Sequence, residues 1–310
     1  MIKIDLITGF LGSGKTTFIK KYAKYLMDKG YKIGILENDF GAVNVDMLLL
    51  QDIMRDNCEL EMIAGGCDKD CHYRRFKTKL ISMGMRGFDR ILVEPSGIFD
   101  VDEFFDILHE EPLDRWYETG SVIDIVDAGL DKEMSKESRY LFASQIVCAG
   151  SVVFSKCSEV TSTDIESTKT YINQVLEQFQ SKRRIDSEII CKDWGELTDD
   201  DFAQIMNAGY KSESMAKLWF DQNKAFNSLY YMNKRMSEEK LRTIVVKLLN
   251  DDSCGNIFRI KGFMQVSDGR YVEINATHQN ITIEPVKAGQ DVIIVIGENL
   301  NEKKIDTYWN

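Results

Sequence analysis

The segment Gly9–Thr17, GFLGSGKTT, has the residue types and spacing of a phosphate-binding turn. It fits the pattern G-x-x-x-x-G-K-[ST], follows an apolar stretch and precedes a helical pattern, which is the context that this pattern requires. Glycines let successive N–H groups turn toward phosphate oxygens, and the helix N-terminus adds a positive dipole. We expect Lys15 to reach the β- and γ-phosphates and Thr16 to offer its hydroxyl to Mg²⁺. The predicted nucleotide-binding residues of this turn are Gly9, Gly12, Ser13, Gly14, Lys15, Thr16 and Thr17.

Acidic residues follow two later strand-like segments. VEPSG (Val93–Gly97) ends one of them, and ENDFGAVNVD (Glu37–Asp46), with the carboxylates Glu37, Asp39 and Asp46, follows another. A single acid in a loop is most often only solvated, but ligands of parallel sheets bind where such segments leave the carboxyl ends of strands. We therefore predict Glu37, Asp39 and Glu94 beside the metal, with Thr16. We also predict Lys15, Asp39, Glu94 and Gly97 as the catalytic set, with the amide of Gly97 facing a γ-phosphate.

A second cluster, GGCDKDCH, places Cys67, Cys71 and His72 within six residues. Thiolate and imidazole ligands favour Zn²⁺, Ni²⁺ or Co²⁺ over Mg²⁺. The C-x₃-C spacing is found in zinc sites, and three protein ligands would leave a fourth position open for transfer. Two alternatives stay open: a loop that holds no metal, and a pair of thiols that oxidises reversibly.

The pattern of apolar segments predicts an α/β fold. Strand-like stretches alternate with helical ones, which indicates a mostly parallel sheet covered on both faces. The pattern changes near residue 222, where Ser237–Leu249 reads as an amphipathic helix with Ser237 as N-cap and short strands follow. We predict a nucleotide-binding domain over residues 1–221 and a smaller α+β domain over residues 222–310. The predicted strands of the first domain are Ile2–Thr8, Lys32–Asn38, Arg90–Gly97, Ser121–Ala128, Ser151–Lys156 and Ser187–Cys191.

Composition narrows the function classes. The chain has 310 residues and a net charge of −11, which argues against general nucleic-acid binding because phosphate backbones need a basic face. The first ten residues, MIKIDLITGF, lack the apolar core and cleavage site of a signal peptide, and no apolar run approaches membrane-spanning length, so we expect a cytoplasmic protein. Seven cysteines without regular spacing are typical of a cytoplasmic protein with reduced thiols. Five of them are expected to be small core residues, namely Cys58, Cys148, Cys157, Cys191 and Cys254.

These motifs, in this order, resemble the CobW-like GTPases, relatives of the UreG and HypB nickel-insertion proteins. The shared features are GFLGSGKTT, ENDFG with a later VD, GGC, EPSG, SVIDIVDA and SVVFSK, and FRIKGFMQV and DVIIVIG match the smaller domain. The resemblance spans nearly the whole chain. It implies a P-loop GTPase that uses GTP, GDP and Mg²⁺ and delivers a metal or metallocofactor to a client protein, with Zn²⁺, Co²⁺ or Ni²⁺ as cargo.

The chain departs from that family at the guanine-reading motif Asn-Lys-x-Asp. Ser155, Lys156, Cys157 and Ser158 stand there. The missing aspartate would accept two hydrogen bonds from guanine, and a serine hydroxyl lacks both the charge and the paired geometry. We expect Ser155, Lys156 and Ser158 to contact the nucleotide, with Glu159 as a substitute acid. ATP in place of GTP stays open.

Two further departures concern metal. The family's Cys-x-Cys-Cys is reduced to Gly66 and Cys67, followed by Asp68, Lys69 and Asp70. The family's histidine-rich segment before the second domain has no counterpart, since Tyr210–Leu241 contains no histidine.

The sequence therefore predicts a nucleotide-dependent switch with slow intrinsic hydrolysis and a metalloenzyme or corrinoid-protein client. No nucleic acid or membrane partner is expected, and a homodimer is one option. Two rival functions stay open. One is a non-catalytic assembly factor gated by nucleotide, and the other is a P-loop small-molecule kinase, for which HYRRF (His72–Phe76) is the one compact arginine pair near the site.

Overall fold

The structure is a computed structural model. It describes residues 1–39, 50, 53–64, 69–97, 99–186, 188–218, 225–287 and 289–309. The chain divides into two units, residues 1–218 and 219–310.

The first unit is built on a parallel sheet. Its strands are β1 (Ile2–Thr8), β2 (Ile33–Asp39), β3 (Cys58–Ala64), β4 (Arg90–Pro95), β5 (Tyr117–Asp127), β6 (Ser151–Ser155) and β7 (Ile189–Cys191). Within the described residues they form one seven-stranded sheet in the order β3-β2-β4-β1-β5-β6-β7. Every neighbouring pair is parallel, so the carboxyl ends of all these strands meet at one edge. The predicted α/β fold is confirmed.

Helices accompany the strands of this unit. They are α1 (Lys15–Asp28), α2 (Lys69–Gly84), α3 (Val101–Leu108), α4 (Leu113–Trp116), α5 (Lys136–Val147), α6 (Ser162–Gln178) and α7 (Asp199–Met206). Helix α1 buries Phe18, Ile19, Tyr22 and Leu26 completely, because apolar residues three and four apart share one face of a helix. Burying each such side chain stabilises the fold by roughly 1.5–3 kcal/mol. This packing fixes α1 on the sheet and with it the turn that precedes the helix.

The region between β2 and β4 contains a strand that is not among the predicted ones. The MIAGG stretch has a helix-like pattern, but Cys58–Ala64 is an edge strand paired with β2. Its polar positions Glu59 and Glu61 form ion pairs with Arg86, which explains why the strand lacks an apolar signature. Cys71 and His72 lie in the first turns of α2 and not in a loop.

The second unit is a small α+β fold. Its strands are β8 (Phe226–Met232), β9 (Asn256–Gln265), β10 (Tyr271–Ala276), β11 (Ile281–Val286) and β12 (Val292–Glu298), and its helices are α8 (Glu238–Leu249) and α9 (Glu302–Trp309). The sheet order is β11-β10-β9-β12-β8, with antiparallel neighbours. The side chain of Ser237 accepts from the Lys240 N–H, so the predicted N-cap is confirmed. Over the described residues, no helix of either unit is long and apolar enough to cross a bilayer.

A buried ionic cluster joins the central strands of the first unit to α1. Both carboxylate oxygens of Asp5 accept from one Arg90 nitrogen, at 2.8 and 2.6 Å, and further bonds come from the Tyr22 hydroxyl at 2.9 Å and the Ser121 N–H at 2.7 Å. Burial raises the pKa of Asp5, and the Arg90 guanidinium opposes that shift. Because all four contacts donate to the carboxylate, we assign Asp5 as ionised and Arg90 as its counter-ion.

Asp124 is a second buried carboxylate in the same sheet, in a very different setting. It stands beside Thr8 in the β1–β5 register, and neither of its carboxylate oxygens has a hydrogen-bond partner among the described residues. Burial raises its pKa to about 7, and the charges of Lys15 and Arg183 only partly offset this. At neutral pH Asp124 therefore lies near the midpoint of its titration.

We predict that Arg90→Met destabilises the first unit by about 3–5 kcal/mol, because it leaves the Asp5 charge buried without its counter-ion. The free energy of unfolding from urea titration measures the effect. Lys3→Met is the matched control, since Lys3 lies on β1 opposite Arg90 and its ion pair with Glu118 is exposed. Equal losses in the two variants would contradict the structural role of the cluster.

A second prediction concerns pH. A carboxyl whose pKa is higher in the folded state stabilises the fold at low pH, and this contribution is lost as the pH rises through the folded-state pKa. Asp124→Asn removes the titration while keeping the side-chain shape. The stability of the variant relative to wild type should therefore increase by about 2 kcal/mol between pH 5.5 and 8.5. Urea unfolding at both pH values measures this difference, and a difference that stays constant with pH would refute the assignment.

Candidate functional site

The turn between β1 and α1 requires glycine at its first position, because a side chain there would clash with its neighbours. Gly9 has a φ of 147°, and a Cβ at this position would lie 2.4 Å from the carbonyl oxygen of Ile125 and 2.6 Å from Ser13 Oγ. A larger residue would push the turn away from β5. Helix α1 begins at Lys15 and has no acidic residue in its first turn, so the positive end of the helix faces the turn without a neutralising side chain. The arrangement suits an anion.

The side chain of Lys15 folds back over this turn. Its Nζ donates to the Gly9 carbonyl oxygen at 2.9 Å, and the residue is 7% exposed. A phosphate oxygen carries negative charge and is a stronger acceptor than a carbonyl group. Ser13 is buried and Thr17 is exposed on the first turn of α1, while Gly12 and Gly14 are half-buried. The predicted phosphate-binding residues therefore lie together around one turn.

Oxygen ligands collect next to Thr16. Its hydroxyl donates to Glu94 Oε1 at 2.9 Å, and the β2–β4 register places Glu37 beside Glu94. The two carboxylates are buried, at 2% and 5% exposure. A hydroxyl and adjacent carboxylates are hard oxygen donors, so this set fits Mg²⁺. Asp39 is the last residue of β2, and its side chain lies outside the described part of the chain.

The segment after β4 packs directly on the glycine turn. A Cβ on Gly97 would lie 2.8 Å from Leu11 Cδ2 and 2.9 Å from the Leu11 backbone nitrogen, so only glycine allows this approach. The side chain of Gln145 in α5 donates to the carbonyl oxygens of Gly97 at 3.0 Å and Phe99 at 3.4 Å. A change in the turn would therefore reach the segment after β4 through direct contact.

The loop after β6 approaches the other side of the turn. Lys156 has a φ of 56°, and its Nζ forms an ion pair with Asp127 and lies 3.4 Å from the Gly12 carbonyl oxygen. Ser155 is buried and bonds weakly to the Val126 carbonyl oxygen at 3.4 Å. The stem of Lys156 thus extends from β6 toward the phosphate turn.

Sequence reasoning missed two residues at this place, Asp193 and Trp194, which follow β7. Asp193 accepts from the Ser158 hydroxyl at 2.9 Å and from the Gly195 N–H at 2.7 Å. These two donors, Gly195 first, hold the pKa of Asp193 below its ordinary value. A ring carbon of Trp194 lies 3.2 Å from where a Cβ on Gly14 would stand, and its Nε1 donates to the Phe154 carbonyl oxygen at 3.0 Å. A tryptophan in the polar stretch after a short strand was the available signal.

The cysteine and histidine cluster is only partly described. Cys67 lies outside the described residues, as do Gly66, Asp68 and Asp46. Cys71 is half-buried and His72 is buried at 2% exposure. In the described ranges, no group of three or more histidine, cysteine or acidic side chains is arranged to hold a metal ion. The proposed ligand set Cys67, Cys71 and His72 stays a prediction.

Comparison with known proteins matches both parts of the chain. Residues 3–185 match the family model described as CobW/HypB/UreG, nucleotide-binding domain, and residues 229–310 match the Cobalamin synthesis protein cobW C-terminal domain. The zinc chaperone YeiR of Escherichia coli (strain K12) is 29% identical over 198 residues, which cover 64% of this chain and 57% of YeiR. The zinc chaperone YjiA of the same organism is 31% identical over 166 residues, 50% of this chain and 49% of YjiA. The matched segment thus spans about half the length of each relative.

A crystal structure of Zn(II)-bound YjiA GTPase from E. coli aligns over 99% of this chain and 97% of its own, with 19% identity and a TM-score of 0.38. That score is too low for a residue-by-residue comparison of the two. The family match, by contrast, covers more than half of the chain and includes the glycine turn, Glu94 and the loop after β6. The chain belongs to the CobW/HypB/UreG family of nucleotide-binding domains.

Proposed function

We propose that this protein is a GTP-hydrolysing switch that assists delivery of a metal ion or metallocofactor to a client protein. The observation that carries the proposal is the junction of the glycine turn with the acidic strand ends, where Lys15 covers the turn and Thr16 bonds to Glu94. Such a junction places a phosphate chain and a hard cation next to each other. Family membership and the zinc-chaperone relatives support the same function.

The residues divide the chemistry between them. The backbone N–H groups of Gly12–Thr17 bind phosphate oxygens, and Lys15 exchanges its bond with the Gly9 carbonyl for one with the β- and γ-phosphates. Thr16 and Glu94, with Glu37 alongside, hold Mg²⁺, which supplies positive charge to the phosphate oxygens when bound. Asp39 orients the attacking water. Intrinsic turnover is proposed to be slow, as a switch requires.

The γ-phosphate state is read by the segment after β4. Gly97 offers its amide to the γ-phosphate and already touches Leu11 of the turn. Loss of the phosphate removes that hydrogen bond, and the Gln145 contacts to Gly97 and Phe99 pass the change to α5. Order–disorder changes of such segments are a common form of nucleotide switch.

We propose Asp193 as the acid that selects guanine in place of the family aspartate. Ser158 holds its carboxylate at the end of the loop after β6, and Lys156 of that loop reaches the phosphate turn. Each carboxylate oxygen can accept more than one hydrogen bond, so Asp193 can bind Ser158 and Gly195 and still accept from guanine N1–H and N2–H. Adenine lacks this donor pair. GTP is therefore favoured over ATP.

The cargo is proposed to be a transition-metal ion, with Zn²⁺ favoured over Co²⁺ and Ni²⁺. The two curated relatives are named zinc chaperones, and Cys67, Cys71 and His72 offer the thiolate and imidazole groups that such ions prefer. Cys71 and His72 lie on α2, the helix that comes after β3 in the chain. Strand β3 pairs with β2, which contains Glu37. The client is a metalloenzyme or corrinoid-dependent protein that receives the metal.

Lys15→Ala tests the phosphate site. It should weaken binding of GDP with Mg²⁺ by about 10- to 100-fold, which corresponds to the ~1.5–3 kcal/mol of a hydrogen bond to a charged group. Isothermal titration calorimetry measures the affinity. Lys24→Ala, an exposed lysine on the same helix, is the control and should bind as wild type does. GDP affinity that is unchanged in Lys15→Ala would overturn the proposed site.

Asp193→Asn tests the choice of base. The amide keeps the shape and loses the charge, so GDP affinity should fall by about tenfold or more. Affinity for xanthosine diphosphate should rise, because xanthine carries a carbonyl where guanine has its amino group and asparagine can donate to it. Competition against a fluorescent GDP analogue measures both effects.

The control for this substitution is Glu159→Gln, which changes the exposed acid next to Ser158. If the Glu159 variant and not the Asp193 variant lost selectivity, the base-reading acid would be Glu159. Tight binding of ADP by the wild-type protein would contradict guanine selection altogether.

A further inference from the structure

Two cysteines meet beside the loop that approaches the phosphate turn. Cys157 follows Lys156 after the end of β6, and Cys191 is the last residue of β7. Strands β6 and β7 run parallel with Phe154 opposite Cys191. The two sulfur atoms lie 2.7 Å apart, and both residues are half-buried free thiols. The sequence analysis expected Cys157 and Cys191 to be small core residues, but the structure leaves both half-buried. The pairing of β6 with β7 brings these positions, 34 residues apart, next to each other.

The sulfur–sulfur distance distinguishes a pair of zinc ligands from a pair that forms a disulfide bond. Two thiolates on one tetrahedral zinc ion, with zinc–sulfur bonds of about 2.3 Å, stand roughly 3.8 Å apart. The sulfur atoms here are closer than that and approach the ~2.05 Å length of a disulfide bond. The geometry therefore favours a covalent sulfur–sulfur bond over a shared metal ion.

We propose that Cys157 and Cys191 are a modification site at which the two thiols form an intramolecular disulfide bond. The oxidant is a low-molecular-weight disulfide such as oxidised glutathione. The bond ties the loop after β6 to the end of β7. Because Lys156 and Ser158 flank Cys157 and Asp193 follows Cys191 by two residues, oxidation fixes the base side of the nucleotide site in place.

The chemistry balances as thiol–disulfide exchange. Burial, and then contact with Cys191, raises the pKa of Cys157 to about 12. We assign Cys191 as the attacking sulfur and Cys157 as the resolving one. Its thiolate attacks one sulfur of oxidised glutathione, and the glutathione disulfide breaks to give a mixed disulfide and a glutathione thiolate. Cys157 transfers its proton to that thiolate and attacks Cys191 Sγ, which releases the second glutathione as a thiolate. This thiolate takes up from solvent the proton that Cys191 released on ionising. Two protein thiols lose two electrons and one glutathione disulfide becomes two thiols.

The test uses the full chain, reduced with dithiothreitol, desalted and incubated with oxidised glutathione. Non-reducing peptide mapping should recover a cross-linked peptide that joins Cys157 and Cys191. A maleimide thiol count in denaturant, which starts from the seven cysteines of the chain, should fall by two per bond formed. Cys157→Ser and Cys191→Ser should each lose the cross-link, while Cys148→Ser, which removes a buried cysteine at the end of α5, should keep it.

A second measurement tests the effect on the base side, which rests on the proposed function. Release of a fluorescent GDP analogue into excess GDP should be slower for the oxidised protein, and dithiothreitol should restore the faster rate. The inference is overturned if peptide mapping of the wild-type protein finds no Cys157–Cys191 bond, or if oxidised and reduced protein release GDP at the same rate. Failure of the reduced protein to bind GDP would instead overturn the proposed function and leave the cross-link result standing.

Discussion

The glycine turn packs against its neighbours at two points where only a glycine fits, at Gly9 within the turn and at Gly97 in the segment that contacts it. Gly9 rests against the Ile125 carbonyl on β5, and Leu11 is touched by Gly97 after β4. Trp194 covers Gly14 from a third direction. Since packed interiors respond to small displacements in steps and not gradually, a ligand in this turn acts on three segments at once. The remaining features of the first unit, from the Thr16–Glu94 bond to the Lys156 contact, depend on the turn keeping this position.

Much of the fold could be predicted from periodicity alone. Central strands such as β1 and β4 are buried on both faces and therefore read as apolar runs. The edge strand β3 could not be recognised in the same way, because two of its positions are the acidic residues Glu59 and Glu61. These form ion pairs with Arg86 and Lys79 and do not pack as apolar side chains. Cys71 and His72, for which the sequence left a loop without metal as one alternative, lie in the first turn of α2.

The phosphate half of the site was readable because its residues are contiguous. Gly9–Thr17 form one short motif, and Glu94 and Gly97 stand at the end of a clear strand. The residues of the proposed base side come together across the sheet instead. Asp193, Trp194 and Cys191 come beside Ser158, Gly14 and Cys157 only through the pairing of β6 with β7, and no local pattern encodes that pairing. The unusual setting of Asp124 could not be predicted for a related reason. The sequence of an apolar strand does not show whether an aspartate within it has a hydrogen-bond partner.

The phosphate turn and the proposed base side are also attached to strands that differ in local stability. The phosphate turn grows out of β1, which is flanked by β4 and β5 in the middle of the sheet, whereas the base side depends on β7, an outermost strand of only three residues. Short edge strands open at lower free energy than central ones. In the proposed function, the base would therefore lose its protein contacts before the phosphates do, and a partner that speeds nucleotide exchange would act most easily at this edge of the sheet.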